Sequence, residues 1–141
     1  MRWIALSLAL ALTPVMAAAE NRRGVAGEWI FEAPLEGAPE CVIEGRASIT
    51  RMRARQEYQV RVAGLETCEN GQTWQMEQDC VGTLQNRRFT IECTLVSATP
   101  GNYMRDNFSL VVMHDDLMIG TLLSSRTGAS TWRRAPAPLV S

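Results

Sequence analysis

The chain has no lysine: all 14 of its basic residues are arginine, set against 15 acidic ones. That balance leaves no basic excess to neutralise a phosphate backbone, so a nucleic-acid partner is not expected. Histidine is almost missing. His114 is the single imidazole and falls in an apparent turn with Asp115 and Asp116, where the three read as ordinary turn chemistry. A catalytic dyad or triad needs a base beside its nucleophile, and this sequence has no such constellation. There is no Cys-x-x-Cys pair and no Gly-rich phosphate loop. A zinc or other metal site is therefore not expected, nor is a cofactor. No catalytic residue is assigned, and an enzyme is not expected.

Long apolar runs are scarce, and the main one opens the chain. Arg2 is followed by an apolar stretch over 3–12 interrupted only by Ser7, then Pro14 and Ala17-Ala18-Ala19. This reads as a secretory signal over 1–19, cleaved before Glu20. The stretch falls short of the ~20 residues a spanning helix needs, and no cysteine follows to carry a lipid. After cleavage no membrane anchor is expected, and the chain is read as periplasmic or secreted. Residues 20–134 suffice for one domain with a real core, expected to be a monomer. The stretch 135–141, with two prolines, is expected to be a disordered tail.

Helical periodicity is also hard to find beyond the signal. Short alternating runs separated by turn residues dominate, and eight candidate strands emerge at 27–32, 41–51, 58–64, 73–81, 89–95, 108–113, 117–123 and 129–134. Asn70-Gly71 is the strongest hairpin signal; Asn86-Arg87, Pro100-Gly101-Asn102 and Arg126-Thr127-Gly128 mark further connections. Eight strands joined mainly by tight turns predict an all-β, eight-stranded antiparallel up-and-down barrel, which leaves no open edge. A β-sandwich is the alternative. Inward positions include Tyr58, Trp74, Met76, Phe89 and Leu95, bulky enough to fill a short barrel.

Four cysteines, Cys41, Cys68, Cys80 and Cys93, form an even set in a chain expected to be exported, the usual setting for two structural disulfides. A two-residue turn at Asn86-Arg87 puts Cys80 opposite Cys93 on one face of a hairpin, within disulfide reach. Cys41 and Cys68 then remain to pair, although the other connectivities stay open.

Two groups could carry function. Arg51, Arg53 and Arg55 recur at every second residue, with Arg46 and Arg61 nearby. On a strand they would share one face, either gripping an anionic glycan, phosphate or acidic partner or simply forming a solvated outer face; a turn near Ala54 would instead scatter the charges. The second is Gly27-Glu28-Trp29 in the first strand with Arg133 or Arg134 in the last. It looks like the barrel end of lipocalin-like proteins, where a Trp plugs the end and an arginine stacks across it.

The stretch Val25-Ala26-Gly27-Glu28-Trp29-Ile30-Phe31, followed by Cys41-Val42-Ile43, resembles the start of a bacterial family. Its members are small periplasmic or outer-membrane inhibitors of serralysin-type alkaline metalloproteases. The resemblance implies a lipocalin-like barrel, a shared Cys41–Cys68 bridge and an extracytoplasmic protease or other envelope protein as partner. It also implies an inhibitory N-terminal segment, here Glu20-Asn21-Arg22-Arg23, whose first residue is acidic where the family has small ones. The match covers about a quarter of the chain left after cleavage. The later part, with Asp106-Asn107-Phe108 before Met118-Ile119-Gly120-Thr121-Leu122, is similar instead to exported proteins of alphaproteobacteria. Three functions thus stand: a protease-inhibiting or protein-binding barrel, a barrel for a small ligand or envelope glycan, and a structural envelope protein without a ligand.

Overall fold

The computed structural model describes residues 24–136, and all regular structure among them is β. The expected signal peptide, the Glu20-Asn21-Arg22-Arg23 segment and residues 137–141 lie outside the described residues. Eight strands follow one another: β1 (Gly27–Leu35), β2 (Cys41–Arg51), β3 (Glu57–Cys68), β4 (Thr73–Gln85), β5 (Arg88–Thr99), β6 (Asn107–His114), β7 (Leu117–Leu123) and β8 (Thr127–Arg134). Each pairs antiparallel with the one before it, and β8 returns to β1. The architecture is the closed up-and-down barrel, not the sandwich.

The period-2 pattern is the cause. From Trp29 to Leu35, β1 alternates buried and exposed side chains without a break, and β4 does so from Met76 to Gly82. Several strands run further than the sequence pattern suggests. The first strand is expected to end at Glu32, yet β1 keeps its pairing with β2 past Pro34 to Leu35 while the β8 ladder lapses at Ala33 and Pro34. A proline removes one donor, and a strand tolerates that loss on one side. Gly64 looks like the end of a strand, but β3 continues to Cys68. A Cβ at Gly64 would sit 2.8 Å from Met76 Sδ, and one at Gly82 would sit 2.7 Å from Phe89 Cε2. These inward glycines leave room for large neighbours to lie across them, so the wall stays regular and the interior is filled.

That interior is strongly aromatic. Phe31 stacks on Trp132 with ring centroids 4.9 Å apart, and Phe108 meets both edge-on at 5.4 and 5.0 Å. Tyr58 and Phe89 form a second edge-on pair at 5.6 Å. The Trp132 indole donates to Ser130 Oγ at 3.0 Å, which satisfies two polar groups that the core would otherwise penalise.

Both disulfides join neighbouring strands on the inner face, Cys41 to Cys68 and Cys80 to Cys93. The hairpin reading of the second is correct: Asn86 and Arg87 form the turn, with Asn86 in the left-handed region at φ 56.

The ends of the barrel differ. The β2–β3, β4–β5 and β6–β7 turns gather at one end with the start of β1; the connections β1–β2, β3–β4, β5–β6 and β7–β8 gather at the other.

Candidate functional site

At the first end the chain closes itself. Trp29 is buried, its indole donating to Val25 O at 2.9 Å, and the Arg134 guanidinium lies 4.6 Å above its ring. The same guanidinium donates to Ala26 O, Gly24 O and Asp115 O at 2.7–2.9 Å and pairs with Asp116 at 3.3 Å. Gly27 is needed here twice over. Its φ is 129, and a Cβ would stand 2.6 Å from Arg134 Nη1. Arg134 therefore spans the plug, while Arg133 is exposed on the outer wall opposite Ile30. The ladder also runs one residue past β8: Ala135 N–H donates to Glu28 O at 2.8 Å.

The arginine triplet does not share a strand face. β2 ends at Arg51, and Arg53 and Arg55 lie in the β2–β3 turn, which Gln56 closes at φ 66. An alternating charge pattern imitates a strand there, but the left-handed turn interrupts it. The three still line one shallow cleft of about 530 Å³ beside Tyr58 and Leu84, and Arg51 lies 6.0 Å from the Tyr58 ring.

The opposite end holds a buried polar layer. Gln78 and Asp106 are 1% and 0% exposed, and Glu66 only 9%. β3 and β4 supply Glu66 and Gln78 from inward positions, whereas Asp106 comes from the 100–106 connection, which folds back over the barrel end. That connection is tied down at several points. Gln78 Oε1 accepts from the Asp106 N–H at 2.8 Å, and Gln78 Nε2 donates to Asp106 Oδ2 at 3.0 Å. The Tyr103 hydroxyl donates to the same oxygen at 2.8 Å, and the Trp74 indole donates to Asn102 Oδ1 at 3.2 Å. The Ser124 hydroxyl faces the Met104 and Arg105 carbonyls at 3.2 and 3.1 Å. Asp106 Oδ1 is buried and has no hydrogen-bond partner among the described residues.

Folding the connection inward opens a seam in the wall. β5 pairs with β6 only over Arg88–Ile91; farther along, Asn107 Oδ1 accepts the Cys93 N–H at 2.9 Å in place of a strand. Outside the seam lies an open cleft of about 870 Å³, lined in part by Leu95, Tyr103, Met104 and Leu123.

Electrostatics set this layer apart. Burial pushes the Asp106 carboxyl above the ordinary carboxylate range, and the hydrogen bonds from Tyr103 and Gln78 pull it only part of the way back. Glu66 is raised by burial first and by the Asp106 charge second, against the lowering pull of the Arg126 charge. Burial and the two carboxylates raise Tyr103 so far that it stays a phenol. A carboxyl whose pKa is higher folded than unfolded adds stability below its unfolded value, near 4, and loses it as pH rises through the folded value. Urea resistance of the wild-type chain is thus expected to be greater at about pH 5 than at about pH 8. The double variant Glu66→Gln/Asp106→Asn should flatten that dependence. An equal pH slope in both proteins would mean the two carboxyls are not the cause.

Cys41, Glu66 and Cys68 form a cluster of the kind that can hold a metal, but both sulfurs are committed to the disulfide, leaving one carboxylate. A thiolate site does not fit there. The Arg126 guanidinium lies against Cys41 Sγ and donates to Pro39 O at 2.7 Å, bracing the same corner.

None of Glu66, Gln78, Tyr103, Asp106 and Arg126 stands out as a site in the sequence. The available signal was a polar residue at an inward strand position, which applies to Gln78 and, once β3 is extended past Gly64, to Glu66.

No protein-family model and no curated protein matches the sequence. Among solved structures, the chain is similar to a de novo designed fluorescence-activating β-barrel, with 18% identity and a TM-score of 0.56, covering 78% of this chain and 93% of that one. It is also similar to the redesigned barrel mFAP0 bound to DFHBI, with 12% identity and a TM-score of 0.60, over 78% and 98%. At such identities the likeness concerns the fold alone: a closed β-barrel. The two disulfides, in turn, suit an oxidising, extracytoplasmic setting.

Proposed function

We propose that this chain is a non-catalytic binding protein of the periplasm or external medium that takes a small ligand at the Asp106 end of its barrel. The observation that carries this reading is Asp106 itself, fully buried with one carboxylate oxygen unpartnered. Leaving such an atom unmet costs about 1–3 kcal/mol, a penalty that a ligand donor at this oxygen would relieve. A deep calyx is not required. Aromatic side chains fill the barrel from the Trp29 plug inward, so the ligand belongs at the mouth, under a 100–106 segment that shifts to admit it. The designed barrels add only that an eight-stranded cylinder of this kind can hold a small molecule, as mFAP0 holds DFHBI.

A fragment library screened against the oxidised protein by amide NMR tests the reading. Hits are expected to move Glu66, Gln78, Tyr103 and Asp106 together. Hits confined to the arginine cleft of the β2–β3 turn, or no hits at all, would remove it.

A second reading follows the resemblance to serralysin-type protease inhibitors. The Gly27-x-Trp29 plug and the Cys41–Cys68 bridge favour it, and the Glu20-Asn21-Arg22-Arg23 segment would be the part that enters a protease. In that case the protein slows a metalloprotease at micromolar concentration, and trimming the segment weakens the effect. A protease panel without inhibition disposes of it.

A further inference from the structure

The mouth of the barrel is short of hydrogen-bond donors. Asp106 Oδ2 receives two of them, from Gln78 and Tyr103, while Oδ1 receives none among the described residues, because the one hydrogen of the neighbouring Ser124 hydroxyl faces the Met104 and Arg105 carbonyls. Tyr103 has one hydroxyl hydrogen, already given to Asp106, so it cannot also serve the neighbouring Glu66 carboxylate. Among the described residues Arg126 is the cation whose charge acts on Glu66, and its two terminal nitrogens face the Pro39 carbonyl and the Cys41 sulfur instead of the carboxylates. The shortage is therefore centred on Asp106 Oδ1, with the Glu66 carboxylate at the rim beside it. Protonating either one removes a charge but turns an acceptor into a donor that then needs a partner of its own.

Aromatic surface stands next to this shortage. Trp74 pairs directly with Glu66 across β3 and β4, with its side chain partly buried and its indole N–H turned to Asn102. Tyr103 also packs against the core. We infer that the ligand taken at this end is a protonated amine, its ammonium seated between Glu66 and Asp106 with Trp74 and Tyr103 flanking it. This rests on the binding reading above and deepens it. An ammonium brings up to three N–H donors and a positive charge to a place that has acceptors to spare, and aromatic faces beside it add cation–π attraction. Other ligand classes fit less well. An anion meets two like charges, an alcohol brings one donor and no charge, and a divalent metal finds too few oxygen ligands once the sulfurs are bonded to each other.

The test uses matched probes on the full oxidised protein: benzylamine against benzyl alcohol, and n-butylamine against n-butanol. Binding is followed by the amide signal of Asp106 and the side-chain amide of Gln78. Each amine is expected to bind at least about tenfold more tightly than its alcohol, the ratio one unmet charge contact supports. Asp106→Asn should erase that preference while leaving the weak alcohol binding in place. Glu66→Gln, a milder change at the rim of the layer, should reduce the preference and serves where the Asp106 variant fails to fold. Equal binding of amine and alcohol would overturn the amine inference and leave the binding reading intact. Fragment hits at this end with neither probe pair among them would do the same. No binding of any kind at this end would overturn both. An ordered water that stays on Asp106 Oδ1 at saturating amine would also overturn the inference, since the missing donor would then be solvent.

Discussion

Replacing Trp132 with alanine is expected to destabilise the barrel by about 3–5 kcal/mol, the usual result of deleting a fully buried large aromatic. The indole is 0% exposed, and it stacks on Phe31 while receiving the edge of Phe108. Its removal empties the centre of that trio and strips Ser130 of its only indole donor, adding an unmet polar group to the cavity. The strands around it cannot close the gap, because a barrel wall of fixed circumference relaxes little. Urea unfolding of Trp132→Ala against wild type measures the loss, and a change below about 1 kcal/mol would show that the trio is not the packed centre of the fold. A domain of this size has roughly 5–15 kcal/mol in hand, so the variant should remain folded at low temperature and unfold early on heating.

Reducing both disulfides is expected to have a comparable or larger effect. The sequence separations are 27 and 13 residues, and the chain-entropy model assigns about 3.5 and about 3 kcal/mol to loops of those lengths. The two loops do not overlap along the chain, so their contributions add to about 6.5 kcal/mol, near the whole stability of many small domains. Cys41→Ala/Cys68→Ala should shift the urea midpoint more than Cys80→Ala/Cys93→Ala, because its loop is longer. Coincident unfolding curves for oxidised and reduced protein would contradict this account. The expectation also bears on setting: a domain that leans this heavily on two bonds needs a compartment that keeps them oxidised.

How much of this was readable in advance differs from residue to residue. Cys80 opposite Cys93 follows from counting outward from a two-residue turn, so one correct turn assignment is enough. Trp29 with Arg134 was visible as a spaced motif, although the choice between Arg133 and Arg134 was not, since only inward parity in β8 separates them. The run Arg51, Arg53, Arg55 left two readings, because charges at alternate positions imitate a strand while a turn near Ala54 scatters them. The turn is the outcome, closed by a left-handed Gln56, and the charge pattern by itself does not choose between the two. The strands expected to end at Glu32 and Gly64 run on to Leu35 and Cys68, because a neighbour in the closed wall keeps pairing past Pro34 and Gly64.

The polar end was the least legible part. Gln78 shares its inward parity with Met76 and Cys80, so an odd polar residue was there to be noticed. Asp106 and Tyr103 sit in a connection with no periodicity at all, and Glu66 lies past the glycine where the strand seemed to stop.

The amino-acid order alone determined the wall of this protein: period-2 alternation, turn residues and cross-strand cysteines act between near neighbours and are written locally. Only the tertiary structure decided that Glu66 of β3, Gln78 of β4 and Asp106 of a folded-back connection meet in one buried layer with an oxygen to spare. That meeting depends on closure of the barrel and on how an aperiodic segment packs against its end. Both are long-range events, and no short pattern along the chain encodes them.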